Sequence, residues 1–300
     1  MRYRDLSDAE CAIAQALGVV GDWWSLLVIR DVAGGRVRFD DLQRELGVSR
    51  KVLTERLKTL VDHEVIERRP YCERPPRYEY HLTDKGRGLL PVLIALQDWG
   101  SRFVMGDGSV TATTALGSDE ARRVAALVGR SVPALRLAAA DGRLVDPVSS
   151  SGWTVLYCFP GAYAPGHGRH PENWSEIQGA RGCTLESCAF RDRLDAFRQQ
   201  GAAVVGVSTQ RTDELAAFAA HERISFPVLS DADLELAASL RLPTFRAAGA
   251  DRLKRLTVVI DAERVVRRTL YPISDPASCA DEALAVLRAE QAAPSTIARA

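Results

Sequence analysis

The chain has 300 residues, 39 basic and 39 acidic side chains, and no net charge. That length predicts two domains, and 46% hydrophobic with 26% charged residues excludes disorder, a collagen-like repeat and a small disulfide-built scaffold. No apolar run reaches about 18 residues and the start, Met1-Arg2-Tyr3-Arg4-Asp5, lacks an apolar signal core, so a cytoplasmic protein without membrane spans is expected, with any basic footprint local.

The first elements are helical. Cys11 to Val20 is apolar at helical spacing. Asp22 is placed to cap a helix carrying Trp23, Trp24, Leu26, Leu27 and Ile29 that ends at Gly34-Gly35. Phe39 to Leu46 is a short helix, Gly47-Val48 a tight turn, and Ser49 the N-cap of a helix to about Asp62. Val65–Tyr71 and Arg77–Leu82 alternate like strands around an Arg74-Pro75-Pro76 turn, and Thr83 caps a long helix to about Val104. Helix, turn, helix and a two-stranded hairpin predict a winged helix-turn-helix, an α+β domain.

On the helix after Ser49, Leu53, Leu57 and Leu60 share one face, and Arg50, Lys51, Thr54 and Lys58 form a separate stripe. A cationic, hydrogen-bonding stripe on a helix after a glycine turn suits a DNA major groove. Arg68, Arg69, Arg74 and Arg77 on the hairpin suit phosphates or the minor groove. An ordinary solvated charged face is the alternative reading of both.

Cys11, Gly21-Asp-Trp-Trp-Ser-Leu-Leu-Val-Ile-Arg-Asp31, Arg38-Phe-Asp-Asp-Leu42, Leu53-Thr-Glu-Arg-Leu-Lys-Thr-Leu60, Pro75-Pro-Arg-Tyr-Glu-Tyr80, Leu82-Thr-Asp-Lys-Gly86 and Trp99-Gly100 follow in order. With them, residues 8–105 resemble the HxlR-type winged-helix regulators. The resemblance implies a homodimer on a palindromic double-stranded DNA operator, with the N-terminal helix and the helix after Thr83 in the dimer contact. The family usually has Cys-Pro where Cys11-Ala12 stands here. Some relatives use this cysteine as a redox sensor; a buried packing cysteine is the other reading.

Residues 106–118 are small and polar, which predicts a linker at 109–119 between a domain at 1–108 and another at 120–292, followed by a tail at 293–300. Asp146–Gly152 reads as a loop. Trp153–Phe159 and Ala203–Ser208 read as buried strands, and Leu256–Ile260 pairs with Val265-Val266 across a turn at 261–264. Helices are expected at 184–200, 211–222, 232–240 and 277–290. The alternation predicts an α/β domain with a central sheet, making the whole chain α/β with an α+β N-terminal part.

In a reducing compartment the six cysteines (Cys11, Cys72, Cys158, Cys183, Cys188 and Cys279) are not a structural disulfide framework. Gly182-Cys183-Thr-Leu-Glu-Ser-Cys188 carries the chemistry. A thiol at a helix N-terminus meets unpaired N–H groups and the positive end of the helix dipole, and both favour thiolate. A thiolate attacks peroxide oxygen and becomes sulfenic acid, which a second thiol resolves as a disulfide. Five helical residues rise about 7.5 Å, whereas a disulfide needs Cα atoms within about 7 Å. Cys183 and Cys188 therefore bond only if the first turn unwinds. A zinc site with His167 and His170, or two ordinary buried cysteines, are the alternatives.

Tyr157-Cys-Phe-Pro160, Gly182–Cys188, Phe190-Arg-Asp192, Val205-Gly-Val-Ser208, Phe226-Pro-Val-Leu-Ser-Asp231 and Arg255-Leu-Thr-Val-Val-Ile-Asp261 resemble the peroxiredoxins of the PrxQ, or bacterioferritin-comigratory, type. Val128–Pro133 and Asp141-Gly142 fit that family's entry strands, so the resemblance spans about 120–290. It implies a thioredoxin-like fold, Cys183 as peroxidatic cysteine, Cys188 as resolving cysteine and Arg255 as the cation beside the thiolate. It also implies a hydroperoxide substrate, thioredoxin or a similar dithiol as reductant, and no cofactor or metal. A salt-bridged strand arginine is the other reading of Arg255.

Two departures matter. Glu176 and Ala180 stand where the family places Pro and Thr or Ser, and about 16 residues, 161–176, are inserted after Pro160. The hydroxyl that bonds the peroxide is missing from its usual place. Thr184, Tyr163, His167, His170 and Ser175 are the candidate substitutes, and Trp174 with the glycines of the insert suggests an ordered flap. The expected function is a redox-linked DNA-binding regulator with a fused thiol peroxidase. A pure peroxide sensor with little turnover, or a regulator whose second domain is inactive, are the alternatives.

Overall fold

A computed structural model of the chain describes residues 10–292. It forms two compact units that divide between Leu93 and Ile94.

The first unit runs through α1 (Ala12–Val20), α2 (Trp23–Ala33), α3 (Phe39–Leu46), α4 (Arg50–Asp62), β1 (Ile66–Glu73), β2 (Pro76–Leu82) and α5 (Asp84–Arg87). Local chemistry sets the boundaries. The Asp22 carboxylate accepts the Trp24 N–H at 2.9 Å, and the Ser49 hydroxyl accepts the Val52 N–H at 3.3 Å, so both expected caps form. Gly47 ends α3 in the left-handed region at φ 65°, where a side chain is strained. Leu53, Leu57 and Leu60 are buried with Val28, Ile29 and Val32 of α2 and Leu42 of α3, so the apolar face read from the sequence is the core face. β1 and β2 pair antiparallel as the wing.

The helix expected from Thr83 to Val104 is broken. Thr83 caps α5 by accepting the Gly86 N–H at 3.1 Å, but α5 stops at Arg87. A new helix, α6 (Leu90–Trp99), follows and widens into a π-helical turn at Gly100–Val104. Pro91 has no N–H to reach back to the Arg87 carbonyl and its ring would clash there, so the helix must restart. Cys11 is exposed in front of α1, of which only Val20 is buried, which overturns its reading as a packing cysteine.

The second unit contains α7 (Asp119–Ala125), β3 (Leu137–Ala139), β4 (Leu144–Val145), β5 (Trp153–Cys158), α8 (Cys183–Asp192), α9 (Leu194–Gln199), β6 (Ala202–Ser208), α10 (Thr212–His221), β7 (Val228–Ser230), α11 (Glu235–Leu240), β8 (Thr244–Ala247), β9 (Ala250–Leu253), β10 (Leu256–Ile260), β11 (Val266–Leu270) and α12 (Cys279–Ala292). Seven strands form one sheet in the order β11-β10-β5-β6-β7-β3-β4. β5, β6 and β7 are parallel, joined by helical crossovers, and β10 and β3 run antiparallel on either side. This is the thioredoxin-like arrangement. Tyr157, Phe159, Phe190, Phe197 and Phe218 fill the core between sheet and helices. Among the described residues no single helix is long and apolar enough to cross a membrane.

Several details differ from the sequence reading. The helix expected at 184–200 begins one residue earlier, at Cys183, and breaks at Arg193. The entry strand at 128–133 reduces to a single bridge from Ser131 to Val265. The β8–β9 hairpin was not foreseen. Residues 109–119, expected as a linker, are held inside the second unit: Ala112 is fully buried and its N–H reaches the Gln178 carbonyl at 2.8 Å. Small side chains, which read as linker composition, here allow close chain-to-chain contact.

Candidate redox centre and nucleic-acid interface

β5 delivers the chain to the site. The insert that follows Pro160 is pinned at its start by Gln210, whose amide accepts the Ala162 N–H at 2.7 Å and donates to the Ala162 carbonyl at 2.8 Å. Arg252 donates to the Pro160 carbonyl at 3.2 Å and to the Tyr163 hydroxyl at 3.4 Å. Its guanidinium lies 5.1 Å from the Trp174 ring centroid, and the His170 ring stacks on Trp174 at 4.8 Å. The expected flap is therefore ordered, with Trp174 buried in a cluster with Ile177, Ala180 and Phe245.

Cys183 is the first residue of α8. Gly182 precedes it at φ 102°, and a Cβ there would lie 2.5 Å from the Pro276 side chain, so only glycine makes this turn. Arg255, the residue just before β10, approaches Cys183 Sγ to 3.5 Å and donates to the Arg181 carbonyl at 2.8 Å. The same guanidinium pairs with Glu186, one helical turn along α8, in a fully buried ion pair. Cys279, at the start of α12, donates its thiol to the Pro276 carbonyl at 3.1 Å, and burial together with the nearby Glu186 charge pushes that thiol well up.

The electrostatics differ from the expectation of a helix-stabilised thiolate. Burial pushes the Cys183 thiol up; Arg255 pulls it down, and Glu186 pushes it up again. Cys183 is only 3% exposed, and desolvation is the largest influence on its thiol. Burial also raises the Glu186 carboxyl, to about 7, against the opposing pull of Arg255. One guanidinium thus faces two buried acids, and each competes with the other for its charge. The second carboxylate oxygen of Glu186 has no hydrogen-bond partner among the described residues.

Cys188 lies on the same helix, half-buried, with its thiol 3.3 Å from a Glu222 oxygen. Both cysteines lie inside an intact α8, so a disulfide between them would need the first turn to open. A pocket of about 450 Å³ opens over Cys183 and is lined by His170, Trp174, Ser175, Ala180, Thr184 and Leu185, among others. Of the candidate hydroxyl substitutes, Thr184, His170 and Ser175 line it. The Tyr163 hydroxyl is taken by Arg252, and His167 turns to the Pro165 carbonyl. Among the described residues no group of three His, Cys, Asp or Glu side chains is placed to hold a metal ion.

Glu186, Cys279, Arg252 and Gln210 were not singled out from the sequence. Glu186 was legible in principle, three residues after Cys183 and so on the same helical face. The other three are brought in from distant strands and helices and carry no local signal.

The winged helix presents its expected residues at the surface. Arg50, Lys51, Thr54 and Lys58 are exposed on α4, and Arg68, Arg69, Arg74 and Arg77 on the wing. Ser49 is occupied as the N-cap. Arg50 lies over the Phe39 ring and 3.4 Å from Asp40; Lys58 pairs with Asp62 at 2.6 Å; Arg69 pairs with Glu67 and Arg68 covers Tyr78. The side chains of Lys51, Arg74 and Arg77 make no hydrogen bond or ion pair among the described residues.

Residues 19–107 match the HxlR-like helix-turn-helix family and residues 173–269 match the AhpC/TSA family. An uncharacterized HTH-type transcriptional regulator of Methanothermobacter thermautotrophicus is 35% identical over 33% of this chain and 78% of its own length. A Mycobacterium tuberculosis protein provisionally named a peroxiredoxin is 33% identical over 49% of this chain and 85% of its own length. The crystal structure of the peroxidoxin BcpB from the same organism covers 54% of this chain and 96% of its own, at 32% identity and a TM-score of 0.45. The chain spans 59% of the length of the mycobacterial HTH-type regulators that it matches at 39% identity. The chain belongs to two families at once: to the HxlR-like helix-turn-helix regulators through its N-terminal part, and to the AhpC/TSA peroxiredoxins through its C-terminal part.

Proposed function

We infer that the protein is a redox-linked DNA-binding regulator that reduces or senses hydroperoxides at Cys183. The observation that carries the reading is the Arg255 guanidinium 3.5 Å from Cys183 Sγ at the start of α8. A fixed cation there stabilises the thiolate and the negative charge that develops on the departing peroxide oxygen. The Cys183 thiolate attacks one peroxide oxygen, the O–O bond breaks, and the alcohol or water leaves with a proton. Cys183 sulfenic acid remains, and Cys188 displaces its hydroxyl as water to give the disulfide. Thioredoxin or a similar dithiol returns both thiols. Thr184 stands at the pocket mouth as a hydroxyl donor.

The winged helix addresses a palindromic double-stranded operator through Arg50, Lys51, Thr54 and Lys58 in the major groove, with Arg68, Arg69, Arg74 and Arg77 on the backbone. The protein acts as a homodimer in the cytoplasm. Exposed Ile13, Leu17 and Trp23 near the N-terminus, and Val92, Leu96 and Trp99 on α6, support the dimer, since apolar side chains of this size are otherwise costly in water.

A sensor with little turnover is the second reading. It is favoured by Ala180 in place of the usual hydroxyl and by the burial that raises the Cys183 thiol. Stopped-flow consumption of hydrogen peroxide and an alkyl hydroperoxide with a thioredoxin system, read alongside intact mass, separates the two. Repeated turnover through a Cys183–Cys188 disulfide supports the peroxidase, and a single oxidation without recycling supports the sensor. Unchanged consumption by Cys183→Ser refutes both.

A further inference from the structure

The segment before Cys183 is bonded to the chain that follows the π-turn. Gln178 O accepts the Ala112 N–H at 2.8 Å and the Thr111 hydroxyl at 3.3 Å. Gly179 lies against Thr113 so closely that a Cβ would be 2.7 Å from the threonine Cβ. Ala112 and Ala180 are fully buried in one apolar cluster with Trp174, Ile177 and Phe245. Residues 111–113 and 177–180 therefore form one packed junction within the second unit.

The same segment is tied to the redox centre. Cys183 Sγ faces the Ala180 carbonyl at 3.6 Å, Arg255 holds the Arg181 carbonyl at 2.8 Å, and the Glu186 N–H closes the first turn of α8 on the Gly182 carbonyl at 2.9 Å. Disulfide formation must open that turn and draw Cys183 out of reach of Arg255. Only Arg181 and Gly182 separate Cys183 from Ala180. The Arg181 carbonyl is itself held by Arg255, so a displacement at Cys183 is passed to Ala180 through only these two residues.

We propose that residues 111–113 read the redox state of Cys183: closing the Cys183–Cys188 disulfide pulls residues 177–180 away and releases the Gln178–Ala112 junction. The released segment is joined to the regulator's own sequence. Residues 94–107, part of the HxlR-like match, pack within the second unit, and Arg102 and Gly108 hold each other by reciprocal hydrogen bonds just before the junction. Loosening of 111–113 therefore acts on the end of the helix-turn-helix sequence without any ligand. This inference rests on the peroxide chemistry proposed above. The oxidant is the hydroperoxide: two thiols and one peroxide give one disulfide, one alcohol and one water.

The test is amide hydrogen exchange on the full chain, reduced and after one equivalent of hydrogen peroxide, with intact mass taken on the same samples. In the disulfide form the Ala112 amide is expected to exchange about tenfold faster or more, because its bond and its burial are both lost. Cys188→Ser, which stops at the sulfenic acid and leaves α8 wound, is expected to keep the slow exchange. A disulfide by mass with unchanged exchange at Ala112 overturns this inference alone, as does an equal increase in oxidised Cys188→Ser. A Cys183 sulfenic acid that never closes to the disulfide overturns this inference alone, and no oxidation of the wild-type protein overturns the peroxide chemistry and this inference with it.

Discussion

Replacing Glu186 by Gln removes the acid that competes with Cys183 for Arg255 while keeping the side chain's shape. A full charge 3.5 Å from the sulfur is worth about 5 kcal/mol in an effective dielectric of about 20, and it favours the thiolate. Glu186 offsets part of this, because it holds the same guanidinium and its own charge opposes the thiolate. Glu186→Gln is therefore expected to lower the Cys183 titration and to raise its alkylation rate about tenfold, most clearly above pH 7 where the native carboxyl is ionised. The pair Arg255→Gln with Glu186→Gln moves the titration the other way and slows the reaction with hydrogen peroxide about a hundredfold or more at pH 7. Using the pair avoids leaving one buried charge alone, which costs about 3–5 kcal/mol of stability. The assay is the pH profile of iodoacetamide labelling at Cys183, followed by mass. A Glu186→Gln titration at or above the wild-type value would refute the competition between the two acids.

Glu186 also makes stability depend on pH. Burial raises its folded value from 4.5 to about 7, so its contribution is complete below about 4.5 and is lost as pH rises through about 7. The loss approaches about 3 kcal/mol by pH 8. The wild-type Tm should therefore fall against that of Glu186→Gln by about 5–10 °C between pH 5 and 8, and parallel curves would count against it. Gly182→Ala forces a Cβ to 2.5 Å from Pro276 in a left-handed turn, and is expected to lower stability by about 1–3 kcal/mol; thermal unfolding at the wild-type Tm would contradict the close approach. On a duplex selected by binding from random sequence, Lys51→Ala and Arg50→Ala should each weaken binding and reduce the salt slope by about one. Lys58→Ala should have the smaller effect, since Asp62 already holds that ammonium at 2.6 Å; equal slopes for all three would remove α4 from the interface.

Much of the molecule was legible from local patterns. Asp22, Ser49 and Thr83 cap helices because a short polar side chain meets unpaired N–H groups wherever a helix starts. Leu53, Leu57 and Leu60 face the core because 3.6 residues per turn puts them on one side. Gly182-Cys183 at a helix start and Cys188 five residues on were readable for the same reason, as was the need for that helix to open. What tertiary structure decided are the properties that depend on residues far apart in sequence. Burial pushes the Cys183 thiol up and Arg255, just before β10, pulls it down, and both depend on residues far from Cys183 in sequence. The Arg255–Glu186 ion pair joins the residue just before β10 to α8. A run of small polar residues reads as a linker by composition, yet the same small side chains let residues 111–113 lie against 177–180. A sequence carries the reach of each side chain along its own element; which surfaces meet is settled only when the sheet brings them together.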